Sequence, residues 1–298
     1  MKGYAIILFG FGLMGLPACQ SEAPAPAEKV TLPVANKANY WYQGKAEISS
    51  YSVTQERYGE LREGGQVMVF VSEDFSAKKQ VKLDAGPAAD DARVPILKLN
   101  TIRRFQTGIY DYTLMQSVFT GMDIEAGRTL KTTTTVQDWC GHVFTQFNAE
   151  KDGYRVRSFS YFESEGDADI LVKPTLLEDE LWTLLRLKPF TLASAEVLVQ
   201  PSVFYTRLKH KPVQPEKARI SIEKGETESI LNLVYTSIPR ELGIRFETEF
   251  PHRILGWAET DKGELLSKGT LKKIMLDDYW KHHDNASAPL RTELNPGF

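Results

Sequence analysis

The chain has 298 residues, 42% hydrophobic and 25% charged, a balance that excludes wholesale disorder and a helical membrane bundle. Its 36 Lys and Arg against 39 Asp and Glu leave a net charge of −3. That lacks the basic excess nucleic-acid binding requires, so no nucleic-acid partner is expected.

At the N-terminus, Lys2 precedes the apolar run 4–16, YAIILFGFGLMGL. The run falls short of the roughly 20 residues that span a bilayer and fits the apolar region of a secretory signal. Leu16-Pro17-Ala18-Cys19 resembles a lipobox, the site where bacterial signal peptidase II cuts before a lipidated cysteine, with Pro17 where a small residue is usual. The resemblance implies a signal peptide over 1–18 and acylation of Cys19, whose acyl chains would hold the protein to a membrane. Gln20, where Asp would imply inner-membrane retention, implies outer-membrane sorting with the protein facing the periplasm. Residues 19–38, rich in Pro and Ala, read as an extended lipidated tether.

From residue 39 to 283 the pattern is period-two alternation broken by turn residues, which predicts strands. They fall at 45–58, 66–72, 79–84, 96–106, 109–119, 129–147 and 154–163. A helix over 176–188 follows, with Thr175 as N-cap, Glu178 reaching back to it and Pro189 ending it. Further strands fall at 197–208, 218–223, 229–236, 242–250, 253–260 and 265–276. In 242–250, Leu242, Ile244, Phe246 and Phe250 share one face and Arg245, Glu247 and Glu249 the other. Glu63-Gly64-Gly65 reads as the turn between the first two strands, and Lys151-Asp152-Gly153 as a hairpin turn. The fold class is mainly β: antiparallel meandering sheets forming an open or half barrel or a sandwich, with one helix packed on the sheet. The helix divides two strand groups, 39–170 and 190–283. The segment 85–93 reads as a mobile loop and 284–298 as a flexible tail.

The two cysteines are Cys19 and Cys140, so lipidation of the first leaves no intramolecular disulfide. Asp138-Trp139-Cys140-Gly141-His142 is the segment with the most chemical interest. On one continuous strand Cys140 and His142 would share a face, and an imidazole beside a thiol is what a thiol nucleophile needs. No orienting third residue is identifiable, and Gly141 reads as a bulge or a close backbone approach. No complete metal-ligand spacing occurs, although His282-His283-Asp284 could hold a transition metal weakly. No phosphate loop or Gly-x-Ser-x-Gly elbow occurs either, and no cofactor is implied. The acidic run Glu178-Asp179-Glu180 reads as a helix start. Arg155, Arg157, Phe159 and Tyr161 alternate onto one face, and a concave surface of that character would suit an amphiphile or a glycan.

The stretches Tyr40-Trp41-Tyr42-Gln43-Gly44-Lys45-Ala46-Glu47, Trp139-Cys140-Gly141-His142 and Arg155-Val156-Arg157-Ser158-Phe159 resemble a group of uncharacterised envelope lipoproteins of Gram-negative bacteria. Members of that group sometimes carry a label of Maf-type septum-formation inhibitor, but the Ser-x-Ser-Pro-Arg-Arg motif of Maf proteins is absent from this sequence. The expectation is a non-enzymatic, lipid-anchored outer-membrane lipoprotein that binds a lipid, a glycan or an envelope protein. The alternative is a periplasm-facing thiol enzyme or hydrolase using Cys140 and His142.

Overall fold

The computed structural model describes residues 37–84, 93–123, 128–192 and 195–298. The signal, Cys19, nearly all of the tether and most of the 85–93 loop lie outside these residues.

The mainly β, antiparallel architecture expected from the alternation is what the chain adopts. A short helix, α1 (Lys37–Trp41), leads into β1 (Ala46–Arg57), β2 (Glu60–Ser76), β3 (Val81–Lys82), β4 (Arg93–Thr107) and β5 (Tyr110–Gly121). Next come β6 (Thr129–Asp138), β7 (Gly141–Glu150), β8 (Gly153–Phe159), β9 (Ala168–Val172) and β10 (Leu176–Leu177). The helix α2 (Leu181–Leu187) precedes β11 (Ala195–Gln200), and α3 (Val203–Leu208) precedes β12 (Glu216–Glu223). The strands β13 (Glu228–Tyr235), β14 (Arg240–Glu247), β15 (Ile254–Asp261) and β16 (Glu264–Asp277) lead to α4 (Ala288–Leu294).

The two strand groups form one sheet, in the order β10-β11-β12-β13-β14-β15-β16-β1-β2-β4-β5-β6-β7-β8-β9, with β3 beside β2. What joins the groups is the β1–β16 pairing, Ala46 opposite Asp277, rather than the helix between them. The sheet is an unclosed barrel whose free edges are β9 and β10. Leu181 and Leu185 of α2 enter the concave face with Tyr51, Phe70, Ile244 and Trp257, so the expected helix does cover the sheet. Trp257 lies flat over Gly269, where a Cβ would stand 2.1 Å from its ring.

Several boundaries differ from the sequence reading, each for a local physical reason. Gly64 and Gly65 lie inside β2 and the turn falls at Tyr58-Gly59. Both glycines permit close approach: a Cβ would meet the Arg104 carbonyl at Gly64 and the Pro296 carbonyl at Gly65. The continuous strand expected over 129–147 is two strands, β6 and β7, joined at Trp139-Cys140. The helix expected over 176–188 begins later, with a 3₁₀ turn at Glu178–Glu180 before α2. Glu178 is held elsewhere, so Glu180 caps instead, its Oε1 accepting the Leu177 N–H at 2.9 Å. The strand expected over 197–208 ends at Gln200, and Ser202 starts α3 by accepting the Phe204 N–H at 3.2 Å. Residues 284–298, expected to be a flexible tail, lie against the outer face of β1 and β2. There Leu294 and Phe298 pack on Ile48, Val67, Val69 and Val71, and Ser50 Oγ donates to the Leu294 carbonyl at 2.6 Å.

The barrel's interior holds charges the sequence does not announce. Arg186 on α2 and Glu47 on β1 are both fully buried and pair in a fork, two N–H···O bonds of 2.6 Å each. Tyr40 also donates to Glu47, and the guanidinium lies over Phe70 at 4.6 Å. A second fork joins Arg240 to Glu178, which also accepts from Tyr235 at 2.5 Å.

Candidate functional site

The hairpins alternate direction, so the β1–β2, β4–β5, β6–β7, β13–β14 and β15–β16 turns gather at one end of the barrel, together with α3. This helix stands beside the unclosed seam, packing Val203 against β7–β9 residues and Phe204 and Leu208 against β4–β6 residues. Its position is fixed from several sides. Arg57 donates to the Leu208 carbonyl at 2.6 Å, the Arg240 guanidinium lies over Tyr205 at 4.3 Å, and Lys209 just beyond pairs with Glu56 at 2.6 Å. Asp179, from the 3₁₀ turn, sits under its first residue, Oδ2 at 3.5 Å from the Val203 N–H.

Two clefts flank α3. One, of about 440 Å³, is lined by hairpin-turn and lysine residues, among them Lys209, Lys211, Pro239, Asp261 and Lys262. The other, of about 390 Å³, lies between α3 and the inner faces of β7, β8 and β9. Val143, Val156, Ile170, Val203 and Val213 give it apolar walls, while Arg207, His210, Lys211 and Glu165 give one side of it charge. Arg207 is the distinctive member: it is only 7% exposed, stacks on Phe162 at 4.2 Å, and faces Glu165 at 3.6 Å and His210 at 3.4 Å. Its Nε–H has no hydrogen-bond partner among the described residues, and burial pushes the guanidinium's pKa down. A buried donor left without an acceptor is costly in a folded protein, by about 1–3 kcal/mol, and more for a charged group.

Behind the cleft, a polar belt crosses the barrel interior. Arg103 donates to Gln66 Oε1 and Gln55 Oε1 at 2.7 Å each and to Ser267 Oγ at 3.1 Å. It pairs with no carboxylate of the described residues, and burial pushes it down to about 10. Beside it is a cavity of about 30 Å³, also lined by Gln116, Glu178 and Glu259. The acidic run read as an ordinary helix start is wholly buried here: Glu178 serves Arg240, Glu180 caps, and Asp179 Oδ1 has no hydrogen-bond partner among the described residues. Burial, with Glu178 adding to it, pushes Asp179 up to about 6.

The residues singled out from sequence sit outside this cleft. Cys140 is exposed in the β6–β7 turn rather than on a strand with His142. Its backbone N–H donates to Asp138 Oδ1 at 2.7 Å, and the same carboxylate raises the thiol's pKa, disfavouring the thiolate a nucleophile needs. His142 is exposed on β7, opposite Gln137. Gly141 is neither a bulge nor a close approach of two backbones: it pairs with Asp138 in unbroken register, and what crowds it is the Tyr161 side chain, 2.9 Å from where a Cβ would stand. Arg155, Arg157 and Phe159 share one face of β8, but it is the outer face: Tyr154 and Val156 point inward. Both arginines neighbour Asp169, at 3.2 and 3.6 Å, and Tyr161 lies beyond the strand. Near the C-terminus, Asp277, Asp278 and His282 bring ligand atoms within 4.8 Å of one another. There Lys281 already neutralises Asp278 at 2.7 Å. No described helix is long and apolar enough to cross a membrane.

No protein-family model matches the chain, and no curated protein matches it. Among solved structures, it is similar to a β-barrel-like protein of the domain of unknown function DUF1849 from Brucella abortus. Identity is 10%, the likeness covers 78% of this chain and 98% of that one, and the TM-score is 0.49.

Proposed function

We propose that the protein is a non-enzymatic, lipid-anchored lipoprotein of the outer membrane that binds an amphipathic ligand with an acidic head. The ligand lies in the cleft between α3 and β7–β9. The observation that carries this reading is Arg207, buried at the wall of an apolar cleft with Nε–H unpartnered among the described residues. A carboxylate or similar anion reaching it would gain a charge-assisted hydrogen bond, while an alkyl portion covered the valine-rich walls. The anchor is read from the lipobox at Cys19 alone, and carriage is read from the apolar cleft with a buried guanidinium at its wall.

Dodecanoate is a suitable probe, since its carboxylate and chain match the two halves of the cleft. Calorimetric titration should show saturable binding to the native chain. Arg207→Gln should weaken it about tenfold or more, the loss expected for one charge-assisted bond of about 1.5–3 kcal/mol. Binding that ignores Arg207→Gln, or no binding at all, would remove the cleft from the account.

A further inference from the structure

The same end of the barrel carries a second feature that the ligand cleft does not use. Six described large apolar residues are more than 55% exposed: Tyr42, Tyr58, Leu61, Ile109, Trp139 and Tyr161. All but Tyr42 lie at this one end, at or beside the β1–β2, β4–β5 and β6–β7 turns or just after β8. The three hairpins are neighbours in the sheet, and each turn is two residues long: Tyr58-Gly59, Gly108-Ile109 and Trp139-Cys140. Such turns are rigid, so presenting an apolar side chain from them costs little ordering entropy.

The tips form a continuous strip. Tyr58 Oη lies 3.2 Å from Tyr110 Oη, the Tyr110 and Trp139 rings are 6.2 Å apart, and Tyr161 covers Gly141 beside Trp139. Ile109, 82% exposed, is the most exposed large apolar residue described. The charges flanking the tips are Arg57 and Arg62, with Lys209 paired to Glu56, against Glu56, Glu60, Asp111 and Asp138, so no cationic excess draws a polyanion.

We infer that this rim of hairpin tips is a membrane-docking surface that inserts Ile109, Trp139 and Tyr58 into the interfacial layer of a bilayer with net-uncharged headgroups. Trp and Tyr suit that layer because an apolar ring and a wet polar end are satisfied together. The charge balance matches a zwitterionic headgroup surface. The geometry favours a bilayer over a protein partner: the strip is a single row of two-residue hairpin tips about 10 Å apart, two strand spacings, and a fluid interface takes up a row of side chains without further shape. A close-packed protein surface would need a broad complementary face, with rows on either side of this one.

The test uses Cys140, which lies within the rim. In the full chain carrying Cys19→Ser it is the sole cysteine, so a polarity-sensitive fluorophore such as NBD can be placed there specifically. A matched chain carrying Cys19→Ser, Cys140→Ser and Lys79→Cys places the same probe at the opposite end, in the turn before β3. On adding phosphatidylcholine vesicles, the Cys140 probe should shift to the blue and brighten severalfold, and the Lys79→Cys probe should not. Ile109→Ser with Trp139→Ser should raise the vesicle concentration needed tenfold or more, and added salt should leave binding unchanged. A silent Cys140 probe would overturn the inference and leave the rim as a protein-contact surface. An equal response from both probes would overturn it as well, because attachment would then lie elsewhere.

Discussion

Arg186→Leu is expected to destabilise the fold by about 3–5 kcal/mol, because it strands Glu47 as a buried charge without its partner. Both groups are fully buried, and the fork at 2.6 Å is the principal compensation for their loss of water. Arg186 Nε also donates to the Pro251 carbonyl at 3.0 Å, so that acceptor is orphaned too. Burial alone would raise the Glu47 pKa, but Arg186 overrides it and holds the carboxyl below its ordinary 4.5. The pair's contribution is therefore present above about pH 4.5 and is lost as the pH falls through the folded value. For a domain of this size the loss corresponds to a fall in Tm of roughly 10 °C. The double variant Glu47→Leu with Arg186→Leu should recover most of it, since apolar groups of similar volume replace such pairs at little cost. Thermal and urea unfolding of the native chain and the two variants measure this, and a single-variant loss below about 1 kcal/mol would mean that the pair is not desolvated as described.

Asp179→Asn is expected to act in the opposite direction, stabilising the protein at neutral pH. The carboxyl is buried, its Oδ1 has no hydrogen-bond partner among the described residues, and its pKa is pushed up to about 6 from 3.8. The folded state thus holds the proton more tightly than the unfolded chain. The penalty is absent below pH 3.8, grows as the pH rises, and is complete above about 6. A shift of that size corresponds to about 3 kcal/mol at most. Glu180 is also raised by burial and Glu47 is lowered, so the informative quantity is the difference between variant and native stability across pH. Urea denaturation should give curves that coincide near pH 4 and separate by about 2–3 kcal/mol at pH 7. A difference that does not change with pH would show that Asp179 is ionised in both states. Because Asp179 lies under the first residue of α3, the same series reports how firmly the wall of the cleft is held.

Strand pairing was legible wherever one face of a strand is buried and the other wet. The segment expected over 242–250 shows this as far as Glu247, where β14 ends: Leu242, Ile244 and Phe246 are buried and Arg245 pairs outside with Glu228 at 2.6 Å, while Glu249 and Phe250 lie beyond the strand. The Lys151-Asp152-Gly153 hairpin was legible for a related reason, since the turn conformation is chosen locally. α3 was not legible because Val203-Phe204-Tyr205 has the composition of a strand, and only Pro201-Ser202 ahead of it signals a helix start. Gly64-Gly65 read as a turn because sequence does not show that β4 and the C-terminal segment approach there. The cleft was hidden for a more general reason. Arg207, Arg103 and Arg186 are charged residues that composition places in water, and their burial depends on partners tens of residues away. Glu165 is 42 residues from Arg207, and Glu47 is 139 from Arg186. Aromatic and arginine alternation in β8 was visible, but alternation says only which residues share a face, not which face is inside.

The most direct measurement is native mass spectrometry of the Cys19→Ser chain, purified from the periplasm without detergent, beside the same chain carrying Arg207→Gln. The account predicts an amphipathic acid retained at near one per chain in the first and lost or sharply reduced in the second. A well-folded Cys19→Ser chain that is empty, or one whose companion survives Arg207→Gln unchanged, would contradict it.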